Sequence, residues 1–263
     1  MRVKYSERCD LLEEIDLRIS RDDLLLSSAD LEQFFHRDRI RLESDIFSPM
    51  TIDHECLGRL EQWTQSTEIQ ILAISDPDFD VDELDSPVSL LAAKFIELAA
   101  DSNMPVISYF AELRRRQKLR EKNTMHMQGL IELLYGILRQ MTELVPPEFE
   151  CTKVLSEVRF HQLDGTADTW DDATALFRDI RGLLPGRIFC VIDGFQWLDD
   201  KSTAKYLVEF VEILRQSRLK VLFTTNGHSR CLLGCLLQSE LLILDRAWNK
   251  TSRLDFDEIS MEL

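Results

Sequence analysis

The chain has 263 residues, and since single cores stop growing at about 250 to 300 residues, one main domain is expected. Its 31 lysines and arginines face 47 aspartates and glutamates, and the formal net charge of -16 opposes nucleic acid and anionic membrane surfaces as general partners. No stretch approaches the roughly 20 apolar residues of a membrane span, and MRVKYSERCDLLEEIDLR lacks the apolar centre of a signal peptide, so a cytoplasmic protein is expected.

Residues 1–66 read as a small helical N-terminal segment. Leu11, Leu12, Ile15 and Ile19 recur at helical spacing, and Asp30 is placed to cap a helix carrying Leu31, Phe34 and Phe35. Arg37, Arg39 and Arg41 alternate with acids as a solvated face, and a short helix with Cys56, Leu57, Leu60 and Trp63 leads into the core, residues 67–247. The first core strand is Ile69 to Ser75. A glycine-free loop follows it, with Asp76, Asp78, Asp80, Asp82, Glu83 and Asp85, and then a helix from Ser89 to Asp101 and a strand from Met104 to Phe110. Glu112 to Lys122 carries Arg114, Arg115, Arg116, Lys118, Arg120 and Lys122 as a solvated basic connection. A long amphipathic helix from Met125 to Val145 stops at Pro146-Pro147.

After a turn at Asp164-Gly165, a helix from Thr169 to Leu184 and a stop at Pro185-Gly186 precede the run Ile188 to Ile192. That run is apolar throughout, as a strand buried on both faces should be. It ends on Asp193-Gly194, which puts a carboxylate at the carboxyl end of a strand, where open α/β sheets gather ligands. A helix from Ser202 to Ser217, a strand from Leu219 to Thr225, the loop NGHSR, a short leucine-rich helix and a strand from Glu240 to Leu244 complete the core, and residues 248–263 form an acidic tail. Strands alternating with helices predict an α/β fold whose five-stranded parallel sheet has helices on both faces. The scattered cysteines Cys9, Cys56, Cys151, Cys190, Cys231 and Cys235 form no CxxC pair and read as reduced thiols.

IFCVIDGFQWLDD with KVLFTTNGHSR, their spacing from ILAIS and MPVISYF, and LDGTADTWDDA resemble the nucleotide-binding core of fungal STAND proteins. More narrowly, they are similar to NACHT-like, nephrocystin-3-type P-loop ATPase domains, over roughly Asp53 to Asp245. The resemblance implies a P-loop NTPase-like sheet of order 5-1-4-3-2, with Ile188 to Ile192 between Met104 to Phe110 and Leu219 to Thr225. In active members it implies ATP and magnesium as cofactors. Carried over residue by residue, Ser89 falls at the magnesium-ligating hydroxyl and Asp193 at the Walker B acid that holds the metal. Thr225 falls at the polar end of the sensor strand, and Arg230 is displaced by the insertion NGHS. The departures are larger: Pro87 stands at a loop glycine, Val88 at the phosphate-binding lysine, and Gln196 and Trp197 where an acidic pair activates water. Asp199 and Asp200 read as N-caps of the Ser202 helix.

Loss of the lysine, the glycines and the acidic pair predicts a non-catalytic pseudo-ATPase domain with no cofactor, its four carried-over residues vestigial, acting through a protein partner and not through nucleic acid or membrane. Two other classes stay open. One is an atypical magnesium-dependent ATP-binding protein or ATPase using Ser89, Asp193 and Asp199. The other is a metal-dependent hydrolase with hard cations at Asp193, Asp199, Asp200 and the loop acids, or a zinc site at His228, Cys231 and Cys235.

Overall fold

A computed structural model describes residues 17–41, 51–68, 70–77, 86–113, 119–151, 155–184, 186–244 and 253–255. In chain order the regular elements are β1 (Leu17–Ser20), α1 (Arg21–Ser27), β2 (Thr51–Asp53), α2 (His54–Gln65), β3 (Ile71–Asp76), α3 (Pro87–Asp101), β4 (Val106–Phe110), α4 (Met125–Leu144), β5 (Glu148–Cys151), α5 (Glu157–His161), α6 (Trp170–Arg181), β6 (Phe189–Asp193), α7 (Ala204–Gln216), β7 (Lys220–Asn226), α8 (Arg230–Cys235), β8 (Leu241–Ile243) and β9 (Arg253–Asp255), joined in places by 3-10 turns.

β3, β4, β6, β7 and β8 pair in parallel as one five-stranded sheet in the spatial order β4-β6-β7-β3-β8. In the interior strand β6, Val191 lies beside Ser108 of β4 and Leu222 of β7. Successive strand side chains point to opposite faces, and β6 is buried along its whole length, so both faces must be covered. Phe189 and Val191 enter a cluster with Trp63 of α2 and Phe95 of α3, whose three rings lie 5.3 to 5.5 Å apart. Cys190 and Ile192 enter a second cluster with Leu134 of α4, Phe177 of α6 and Phe210 of α7. Burying each large apolar side chain contributes about 1.5 to 3 kcal/mol, so these two clusters hold the three layers together.

α3 starts at Pro87, two residues earlier than its expected start at Ser89. Ser86 caps it, accepting the Ser89 N–H on Oγ at 3.1 Å, and proline suits the first helical position because its missing N–H would have had no partner there.

The N-terminal segment, expected to be helical, also contributes strands. β1 pairs antiparallel with β5, and β2 with β9, which lies in the segment read as a tail. Leu24, Leu31 and Phe35 belong to the same apolar cluster as α4. Asp30 caps no helix: Ser28 precedes the 3-10 turn Ala29–Gln33, and Asp30 reaches His161 Nε2 at 2.7 Å. Arg39, expected on a solvated face, is buried against Glu112. Of the basic connection, Arg120 stacks over the Phe34 ring at 4.3 Å and Lys122 pairs with Asp168 at 2.9 Å. Leu11, Leu12, Ile15, the five loop acids after Asp76, and Arg114, Arg115, Arg116 and Lys118 lie outside the described residues. Among the described residues, no helix is long and apolar enough to cross a membrane.

Candidate functional site

The carboxyl ends of β3, β6 and β7 meet the amino end of α3, and polar side chains gather there in an otherwise apolar core. Asp193, the last residue of β6, is 3% exposed. Its Oδ2 accepts from Ser89 Oγ at 2.8 Å and its Oδ1 from Thr224 Oγ1 at 2.6 Å. Ser89 has its one hydroxyl proton on Asp193, so the 2.7 Å contact between Ser86 Oγ and Ser89 Oγ has Ser86 as donor. Ser86, Ser89 and Asp193 thus form a directed chain of hydrogen bonds that Thr224 closes from the far side.

Burial is the largest influence on the Asp193 carboxyl, because the low-dielectric core disfavours its charged form. Hydrogen bonds from Thr224, Ser89 and the Gly194 N–H pull back part of that shift, leaving a pKa of about 6 against an ordinary 3.8. Gly194 is needed next in the chain. It turns at φ 74°, and a Cβ there would stand 2.4 Å from the Ala111 carbonyl oxygen.

Of the residues read from the sequence, the structure brings Ser89 and Asp193 together. Thr225 is not part of that pair. Neighbours in a strand face opposite ways, so Thr224 takes the carboxylate while Thr225 Oγ1 donates to Ser75 Oγ at 3.0 Å, and Ser75 donates to the Gly227 carbonyl at 2.9 Å. Arg230 is exposed at the start of α8, and its side chain makes no hydrogen bond or ion pair among the described residues.

Asp199 and Asp200 part company. Asp200 Oδ1 accepts from the Ser202 N–H at 2.8 Å in the turn before α7, whose N-cap is Thr203. Asp199 Oδ2 instead accepts from Ser229 Oγ and the Cys231 N–H, each at 2.8 Å, and so caps α8. A carboxylate at that helix end is favoured by the exposed N–H groups and the helix dipole. Gln196 is half-buried in the 3-10 turn Phe195–Leu198, and both its amide oxygen and its amide nitrogen are buried without a partner.

Val88, aligned with the phosphate-binding lysine, is fully buried in the cluster with Trp63 and Phe95. Cys56, Cys190, Cys231 and Cys235 form no disulfide, and the Cys231 and Cys235 sulfurs lie 3.9 Å apart. No three His, Cys, Asp or Glu residues among the described residues, His228, Cys231 and Cys235 included, stand where they could hold a metal ion.

Scanned against protein-family models the chain matches none, and a search of curated proteins finds no match either.

Proposed function

We propose that this chain is a degenerate P-loop NTPase-like domain, similar to those of fungal STAND and NACHT-like proteins, that serves as a cytoplasmic protein-interaction or signalling module and does not turn over nucleotide. The observation that carries this reading is the burial of Val88. A phosphate-binding loop needs an ammonium that reaches the phosphates from this position, and here the side chain is an aliphatic one locked into the core.

Two features support the resemblance itself. Counted along the chain, the sheet's strands stand in the order 5-1-4-3-2, and the hydroxyl of Ser89 touches the carboxylate of Asp193 as a magnesium-binding pair would. The rest of the site does not fit a magnesium-bound nucleotide. The Ser89 N–H, one of the amides a phosphate would use, is taken by Ser86, and the Gln196 amide has no basic lone pair with which to take a proton from water.

Calorimetric titration with ATP and ADP, with and without magnesium, tests the reading. No micromolar binding is expected. Micromolar affinity, or ATP hydrolysis that Asp193→Ala removes, refutes it. The second reading, a weak magnesium-dependent ATP-binding protein, rests on the retained contact between Ser89 and Asp193, and a magnesium-dependent melting shift with ATP that Asp193→Ala abolishes would favour it.

A further inference from the structure

At the amino end of the sheet, opposite Asp193, a cleft of about 570 Å³ opens between the last turns of α6 and α7. That size falls within the roughly 300 to 1,000 Å³ typical of small-molecule sites. Leu184 and Ile213 stand at its apolar side with the core ring of Phe177 behind them, and Arg178, Arg181 and Arg218 also line it. Arg178 is partly neutralised by Glu209 at 3.6 Å. Arg181 and Arg218 have no ion pair among the described residues, and Arg181 Nε is buried without a hydrogen-bond partner. In a chain of net charge -16, Arg181 and Arg218 stand near one another without a carboxylate between them among the described residues.

These arginines are not needed to finish the helices. The closing carbonyls of α6 are met by the N–H groups of Gly182, Leu183 and Leu184, and the Leu214 carbonyl of α7 by the Ser217 N–H and hydroxyl. Arg218 also stands at φ 59°, a left-handed conformation that glycine adopts freely and a long side chain does not.

We propose that this cleft binds a small phosphate monoester, its phosphate gripped between Arg181 and Arg218 and its organic part lying on the side of Leu184 and Ile213. A dianion matches two unneutralised guanidinium groups in charge, and their planar forks match the spacing of phosphate oxygens. Burial first, and the neighbouring Arg218 charge second, press the Arg181 pKa downward, a penalty that a bound anion would relieve. The inference does not depend on the nucleotide-like reading of the sheet's other end, which involves none of these residues.

The test titrates the full chain at low ionic strength with phenyl phosphate, inorganic phosphate and benzoate. Phenyl phosphate should bind, inorganic phosphate more weakly for want of the apolar contact, and benzoate least because it carries one charge. Arg181→Met and Arg218→Met should each weaken phenyl phosphate binding at least tenfold, while Arg41→Met, at an exposed site, should not change it. Arg218→Gly keeps the test sound if Arg181→Met fails to fold: relief of the left-handed turn should raise its melting temperature by about 2 to 4 °C while binding still falls tenfold. Absence of phenyl phosphate binding to the parent chain overturns the proposal. So does binding that survives Arg218→Gly, or benzoate binding as tight as that of phenyl phosphate.

Discussion

Asp193→Asn should make this protein more stable at neutral pH, and the gain should grow with pH in a defined window. A carboxyl group whose folded pKa of about 6 exceeds its ordinary 3.8 binds more protons folded than unfolded between those values. Stability therefore falls as the pH rises through that window and levels off above it. A shift of about 2 units corresponds to about 3 kcal/mol lost by pH 7. Asparagine is never charged, so it escapes that loss. Its Oδ1 can accept from Thr224, and its Nδ2 can donate to Ser89 Oγ once the Ser86 and Ser89 hydroxyls reverse direction. The hydrogen bonds to the carboxylate are already counted in that pKa, so the gain by pH 7 is the full loss of about 3 kcal/mol, or about 6 to 12 °C in melting temperature. Parallel melting curves of parent and variant from pH 4 to pH 7.5 isolate the effect, because every other titrating group cancels in the difference. The two should melt together near pH 4 and diverge as the pH rises. A variant less stable than the parent at pH 7, or a difference that does not change with pH, refutes the reasoning.

Val191→Asp should abolish folding, because a buried unpaired charge in the interior strand costs several kcal/mol out of a total stability of about 5 to 15, and far-ultraviolet circular dichroism of the purified variant would report it. Gly194→Ala should lose at least about 2 kcal/mol in urea unfolding, since it adds a Cβ 2.4 Å from the Ala111 oxygen at a φ of 74°. An equal midpoint for parent and alanine variant would remove that argument. Gln196→Met should gain about 1 kcal/mol by replacing two unpartnered buried amide atoms with a thioether, and a lower denaturation midpoint would show that the amide has an unseen role.

The sheet was legible because each of its strands is an apolar run set between helical patterns, and Asp193 because it is a carboxylate closing such a run; Ser89 was reached only through the family resemblance. Which threonine meets Asp193 was not legible. Thr224 and Thr225 differ by one residue, and the facing of a strand side chain follows from its register with β6, a long-range fact. The same holds for Asp199, whose partners Ser229 and Cys231 lie 30 and 32 residues away. The ribbons β1 with β5 and β2 with β9 escaped because they are three or four residues long and mix charged with apolar side chains, too short for a period-two signal. Arg39 looked solvated because a local charge pattern contains no trace of Glu112, the acid that shelters it.

The place of β3 in the sheet bears on how the protein is made. β3 is the first of the five sheet strands to leave the ribosome, yet its hydrogen-bonding neighbours are β7 and β8, the last two. Ser75 and Thr225, hydrogen-bonded across the ends of β3 and β7, are 150 residues apart, a stretch that takes about 8 to 30 s to synthesise at 5 to 20 residues per second. For that interval a buried apolar strand has both edges open and no native partner, while β4 and β6 can already pair with each other. The nascent chain should therefore hold its middle before its beginning, and its first sheet strand is the segment a chaperone would most need to shield.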